Sequence, residues 1–241
     1  QICEAIQTAA DRVRAYHEKQ LPEDLSFNDD LKSTLGYMWK PLETAGIYVP
    51  GGTASYPSTV LMNSIPAMVA GVKDIVMATP LTDGQINPSV LYAAKIVGIK
   101  KIYCMGGSQA VAAMAYGTES VAPVNKIVGP GNIYVAEAKR QVSGFVGIDM
   151  FAGPSEIVVI SDQNSDPKII SADLIAQSEH DKSAQSILIT TDQTLAEAVE
   201  KEVPSQLESL PRKEIASASW ESNGKIIVVR DLKEAFDISN Q

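Results

Sequence analysis

The chain has 241 residues, 45% of them hydrophobic and 20% charged, with a formal net charge of −9. That is enough apolar material for one large or two medium domains, and acidity spread along the chain argues against nucleic acid or an anionic membrane surface as a partner. No apolar run reaches the ~18 residues of a membrane span, and the first residues do not read as a basic-then-apolar leader.

In chain order, Ile2, Ile6, Ala9, Ala10, Val13 and Tyr16 fall at helical spacing. Residues 1–40 are expected to be all-helical, with Asn28 and Asp29 as loop punctuation and Trp39-Lys40-Pro41 closing the segment. Short β-branched runs follow at 47–50, 74–79, 101–105, 126–128, 156–161, 186–190 and 225–230. Helical patterns separate most of them, at 57–71, 88–97, 109–116, 133–142, 167–180 and 195–208. Strands alternating with helices predict βαβ units and parallel sheets, and the continuous run Ile157-Val158-Val159-Ile160 predicts a strand buried on both faces. The chain starts at Gln1 rather than Met and stops at Gln241, a few residues into a further helical pattern, which reads as a segment of a longer protein.

Composition changes around residues 48–56 and again at Ala152-Gly153-Pro154-Ser155. The expected architecture is therefore α/β, with two Rossmann-like domains, one inserted into the other, and a helical N-terminal segment. Residues 1–47 and 156–241 form the first, discontinuous domain; residues 48–155 form the inserted one. Cys3 and Cys104 are too few for a disulfide framework, so a reducing, cytoplasmic setting is expected. Cys104 reads as a small buried hydrophobe within a strand.

Three glycine-rich turns follow expected strands and open helices: Val49-Pro50-Gly51-Gly52-Thr53, Met105-Gly106-Gly107-Ser108-Gln109 and Val128-Gly129-Pro130-Gly131-Asn132. Such turns let a ligand approach the backbone, and the helix behind each presents N–H groups to an anion. None matches G-x-G-x-x-G or the P-loop pattern, and any one alone is as well read as a plain βα corner. Asn132 and Ser108 are candidate helix caps, whether or not a ligand binds beside them.

Only two histidines occur, His17 and His180. His17, beside Glu18 and Lys19, reads as a solvated surface residue. His180 follows Gln177 by three residues, so the two share a helical face with Asp173 and can aim an oxygen and an imidazole nitrogen at one spot. Zinc usually takes four ligands, so either the pair is structural or its partners lie outside this chain. A cationic imidazole at a helix C-terminus also has a structural reason in the dipole, which the three polar groups on one stripe beside the apolar face weaken.

Together, Gly46-Ile47-Tyr48-Val49-Pro50-Gly51-Gly52, the stretch from Lys126 to Asn132 with Glu137-Ala138-Lys139-Arg140-Gln141-Val142, Ile148-Asp149-Met150, Ala152-Gly153-Pro154-Ser155-Glu156 and Ala176-Gln177-Ser178-Glu179-His180 resemble histidinol dehydrogenase along essentially the whole chain. The resemblance implies a cytoplasmic, homodimeric, zinc-requiring enzyme that oxidises L-histidinol through L-histidinal to L-histidine with two NAD+. It implies NAD contacts at Tyr48, Gln109 and Asn132, substrate contacts at Ser155, Gln177 and His180, and zinc ligation by Gln177 and His180. The family's proton-handling Glu-His pair follows an Ile-Ser-Asn-Gln stretch, which here is Ile238-Ser239-Asn240-Gln241. The pair is therefore expected beyond Gln241, no catalytic residue is assigned, and the chain alone is expected to be inactive. The rival readings are a non-catalytic nucleotide-binding or assembly module, and another dehydrogenase built on the same fold.

Overall fold

The computed structural model describes residues 1–51, 56–151 and 153–241. They form two compact units, 1–152 and 153–241.

The first unit opens with α1 (Ile2–Glu18), which buries Ile6 and Ala10 against the helices that follow. An antiparallel hairpin comes next, β1 (Leu25–Asn28) and β2 (Thr34–Tyr37). The expectation of an all-helical stretch to residue 40 fails here. Leu25/Phe27 and Leu35/Tyr37 alternate with period two, and the Asp29 carboxylate accepts the N–H groups of Leu31 and Ser33 to close the turn.

The remaining elements alternate: β3 (Thr44–Tyr48), α2 (Pro57–Val69), β4 (Asp74–Ala78), α3 (Pro88–Ile96), β5 (Lys101–Tyr103), α4 (Gly107–Tyr116), β6 (Lys126–Val128), α5 (Ile133–Val142) and β7 (Gly147–Ile148). The sheet is parallel, in the order β5-β4-β3-β6-β7. Alternate residues of its strands feed two cores. Ile47, Val49 and Met77 pack with α1, α2 and α3, while Tyr48, Ala78 and Ile127 pack with α4 and α5. At its amino end, the Asn125 side chain accepts the N–H and hydroxyl of Thr44, fixing β6 beside β3.

The boundary expected at residue 47 falls inside β3, the central strand of this sheet. Because β3 pairs with β4 and β6 and α1 packs on α2 and α3, residues 1–47 group with residues 48–151 rather than with 156–241.

The second unit contains β8 (Glu156–Ser161), α6 (Pro167–Ser178), β9 (Gln185–Thr190), α7 (Gln193–Leu207), α8 (Lys213–Asn223), β10 (Lys225–Val228) and α9 (Leu232–Ser239). Its parallel sheet runs β10-β9-β8. Helices α6, α7 and α8 cover one face through Leu174, Val199, Val203 and Ala216, while Ala235 of α9 packs on the other. Asp166, Asp192 and Asp231 cap α6, α7 and α9 by accepting N–H groups of their first turns. β8 is an edge strand, and Val158 is exposed, so the double burial expected of residues 157–160 is not met.

Candidate functional site

The first sheet grows outward from β3 in one direction through β4 and β5, then resumes on the other side with β6 and β7. The strand order thus reverses between β3 and β6, and ligands of open α/β sheets bind beyond the carboxyl ends of strands at such a point. Two of the three glycine-rich turns are described in full; of the first, Gly52 and Thr53 lie outside the described residues.

Tyr48, the last residue of β3, is buried, and its hydroxyl accepts the Gly107 N–H at 3.0 Å. It therefore anchors the start of α4 and is not an open aromatic platform. The N-cap of α4 is Gly106, with no side-chain cap, so the expectation that Ser108 caps this helix is not met. The N–H groups of Ser108 and Gln109 find no acceptor among the described residues, and both side chains are exposed. An uncapped helix start at the carboxyl end of a parallel sheet suits an anion. Cys104, just past β5, is exposed rather than buried.

The turn after β6 is built differently. The Asn132 Oδ1 accepts the N–H groups of Tyr134 at 3.1 Å and Val135 at 3.2 Å, which caps α5 as expected. Its NH2 group has no partner among the described residues, and the residue is exposed. Gly129 has φ +120°, and a Cβ there would fall 2.1 Å from the Tyr48 carbonyl oxygen, so only glycine lets β6 approach β3 this closely. Its N–H donates to Asp149 Oδ2 at 2.8 Å, its carbonyl accepts from Lys139 Nζ at 2.9 Å, and Lys139 pairs with Asp149. Sequence reasoning assigns a role to neither Lys139 nor Asp149. The available signal is a lysine on the i, i+4, i+7 stripe of Val135, Lys139 and Val142, all three of them buried.

The second unit gathers the other three expected residues. Ser155 immediately precedes β8, and its carbonyl accepts the Gln185 N–H at 3.0 Å. Helix α6 runs back from the carboxyl end, so Gln177 and His180 return to the sheet's amino end, where Ser155 also lies. His180 is one residue past the helix cap, its N–H bonded to the Gln177 carbonyl at 3.1 Å. The end of α6 is locked to β9 by buried hydroxyls: Ser178 and Ser186 lie 3.0 Å apart and both donate to the Leu174 carbonyl. Beyond it, Asp181 accepts the Ser183 hydroxyl and N–H; those two bonds, ahead of the nearby His180 and Arg212, hold its carboxyl below the usual range.

Gln177 Nε2 is buried without a hydrogen-bond partner, whereas His180 and Asp173 are exposed. The unpaired atom is the amide nitrogen, a hydrogen-bond donor, whereas a metal would be held by the Gln177 Oε1. Among the described residues, however, no three His, Cys, Asp or Glu side chains cluster as a metal site. Two donors do not fit zinc, and no step through zinc follows from these residues. His17, expected to be solvated, is half-buried near the end of α1, with Nδ1 2.6 Å from Gln20 Oε1.

Gln241, the residue after which the proton-handling pair is expected, is exposed and stands just past α9, with its N–H bonded to the Ile238 carbonyl at 3.1 Å. That bond closes the last turn of the helix. No helix among the described residues is long and apolar enough to cross a membrane.

A strand-order reversal, glycine-rich turns at it and an open helix start define the class of doubly wound α/β proteins that take a ligand at the carboxyl edge of the sheet. The family model for histidinol dehydrogenase matches residues 1–241. The chain is 56% identical over 239 residues to the histidinol dehydrogenase of Gluconobacter oxydans (strain 621H), covering 99% of this chain and 56% of that relative. It is 56% identical over 237 residues to that of Rhizobium meliloti (strain 1021), covering 98% and 55%. The crystal structure of histidinol dehydrogenase from Elizabethkingia anophelis matches with a TM-score of 0.94 at 42% identity, over 98% of this chain and 55% of that one. The chain belongs to the histidinol dehydrogenase family, and it spans about half the length of the curated relatives it matches.

Proposed function

We propose that this chain carries the nucleotide-binding part and half of the metal template of a cytoplasmic, homodimeric histidinol dehydrogenase. The complete reaction oxidises a primary alcohol to a carboxylate: L-histidinol, water and two NAD+ give L-histidine, two NADH and three protons. In each step a hydride passes to the nicotinamide while a base takes a proton, so cofactor position and proton transfer are separable requirements.

The observation that carries this reading is the crevice at the β3–β6 reversal, where the open start of α4 and the Gly129–Asn132 turn border the same carboxyl edge. The uncapped N–H groups of α4 suit the pyrophosphate of NAD. Gln109 and Asn132 supply polar side chains beside it, and Tyr48 acts by holding Gly107 in place. In the second unit, Ser155, Gln177 and His180 form a polar group for the imidazole and amine of the substrate, with Gln177 and His180 as two of the zinc ligands.

Neither histidine is paired with a carboxylate among the described residues, and the chain offers no assigned base for the alcohol proton. We read the chain as a cofactor-binding body and expect no turnover from it alone. The test is NADH formation from L-histidinol with added zinc. It is run on this chain and on a chimaera in which the chain replaces the matching part of the Gluconobacter oxydans relative. An active chimaera with an inactive isolated chain is the expected result. A folded, inactive chimaera would favour the non-catalytic module; turnover by the isolated chain would mean that it holds a base.

A further inference from the structure

Lys139 stands on the buried stripe of α5, where a methionine or leucine would pack at no electrostatic cost. Lysines are almost never fully buried unless paired, and such a pair is often no more stabilising than apolar residues of similar volume. Here the ammonium and the Asp149 carboxylate grip both backbone polar groups of Gly129 and each other, in a closed ring of three contacts. Gly129 is also the residue whose φ of +120° turns the chain out of β6 toward Asn132. Between Gly129 and the cap lie only Pro130 and Gly131, so the path set at Gly129 determines where the Asn132 amide stands.

We infer that Lys139 and Asp149 are positioning residues for the dinucleotide. They clamp Gly129 so that the turn presents Asn132 and the start of α5 to the ligand, and neither touches the ligand itself. The inference rests on the reading of this crevice as the NAD site. A clamp that serves position rather than stability separates two quantities that a packing role would move together, namely melting temperature and NAD+ affinity.

The decisive variant is the apolar pair Lys139→Met/Asp149→Leu, with Asp149→Asn as a milder companion that keeps an acceptor for the Gly129 N–H and removes the charge. Three readouts are taken on the 241-residue chain: the melting temperature, NAD+ affinity by calorimetry, and hydrogen exchange of the Gly129 amide. The expected result is a cooperative melt close to that of the parent chain, NAD+ affinity down about tenfold or more in the double variant, an intermediate loss in Asp149→Asn, and faster Gly129 exchange. Folded variants with undiminished NAD+ affinity overturn the inference, as does loss of folding in both variants, which would make the clamp structural. If the parent chain itself binds no NAD+, the reading of the crevice fails instead, and the Gly129 exchange rate still shows whether the clamp holds the turn.

Discussion

The Tyr48 hydroxyl accepts the Gly107 N–H at 3.0 Å, so the last residue of the central strand holds the first residue of the helix that follows β5. Tyr48→Phe removes only that acceptor. Its expected cost is about 1 kcal/mol of stability, the net worth of one such bond. A weaker hold on the open start of α4 should also lower NAD+ affinity. Urea denaturation and calorimetric titration of the variant check the two effects separately.

Gly129 and Gly144 both have positive φ, +120° and +95°, but only the first is crowded. Gly144→Ala has nothing within 4 Å of its new Cβ and should cost only backbone strain, about 1–2 kcal/mol. Gly129→Ala would drive a Cβ to 2.1 Å from the Tyr48 carbonyl oxygen and should cost well over ~3 kcal/mol or abolish folding. Equal stabilities of the two variants in urea would contradict the close approach of β6 to β3.

Gln177 Nε2 is buried without a partner, a state that costs about 1–3 kcal/mol when nothing binds there. Gln177→Met should therefore raise the melting temperature of this chain, while Gln177→Ala and His180→Ala should each reduce turnover of the chimaera. By itself the chain should lose zinc on extensive dialysis, because two donors do not make a complete ligand set. Stoichiometric zinc retained after dialysis and lost in His180→Ala would show that further ligands are recruited.

Bonds from Arg140 and then Gln141 hold the Glu137 carboxyl down at about 2, against an ordinary value of 4.5. A carboxyl with a lowered folded-state pKa contributes stability that is present above its unfolded value and lost as pH falls through the folded one. Glu137→Gln should thus flatten the decline in melting temperature between about pH 4.5 and pH 2. The pair is fully exposed and screened by salt, so the change at pH 7 should be small. Thermal melts across this range, with and without salt, provide the check.

The alternation of strands and helices was legible because Gly, Pro and Asp punctuate β-branched runs, and the cap at Asn132 marks a helix start directly. The hairpin was missed although Leu25/Phe27 and Leu35/Tyr37 alternate, because two four-residue strands give too short a pattern to stand out beside the long helical one of residues 2–16. The run 157–160 misled for a related reason: an unbroken apolar sequence fits a doubly buried strand, but its place at the sheet edge exposes Val158. Of the site, the glycine turns and the Gln177–His180 spacing could be seen in sequence. The Gly129 clamp could not, because Lys139 and Asp149 lie ten and twenty residues from the glycine they hold and meet only once β7 pairs with β6.

The most direct measurement is calorimetric titration of NAD+ into the 241-residue chain, beside the same titration of Gln109→Ala. The expected result is saturable one-to-one binding, weakened about tenfold by the substitution while the melting temperature holds. A chain that melts cooperatively yet takes up no NAD+, or binds it equally well without the Gln109 side chain, would contradict the placement of the nucleotide at the β3–β6 crevice.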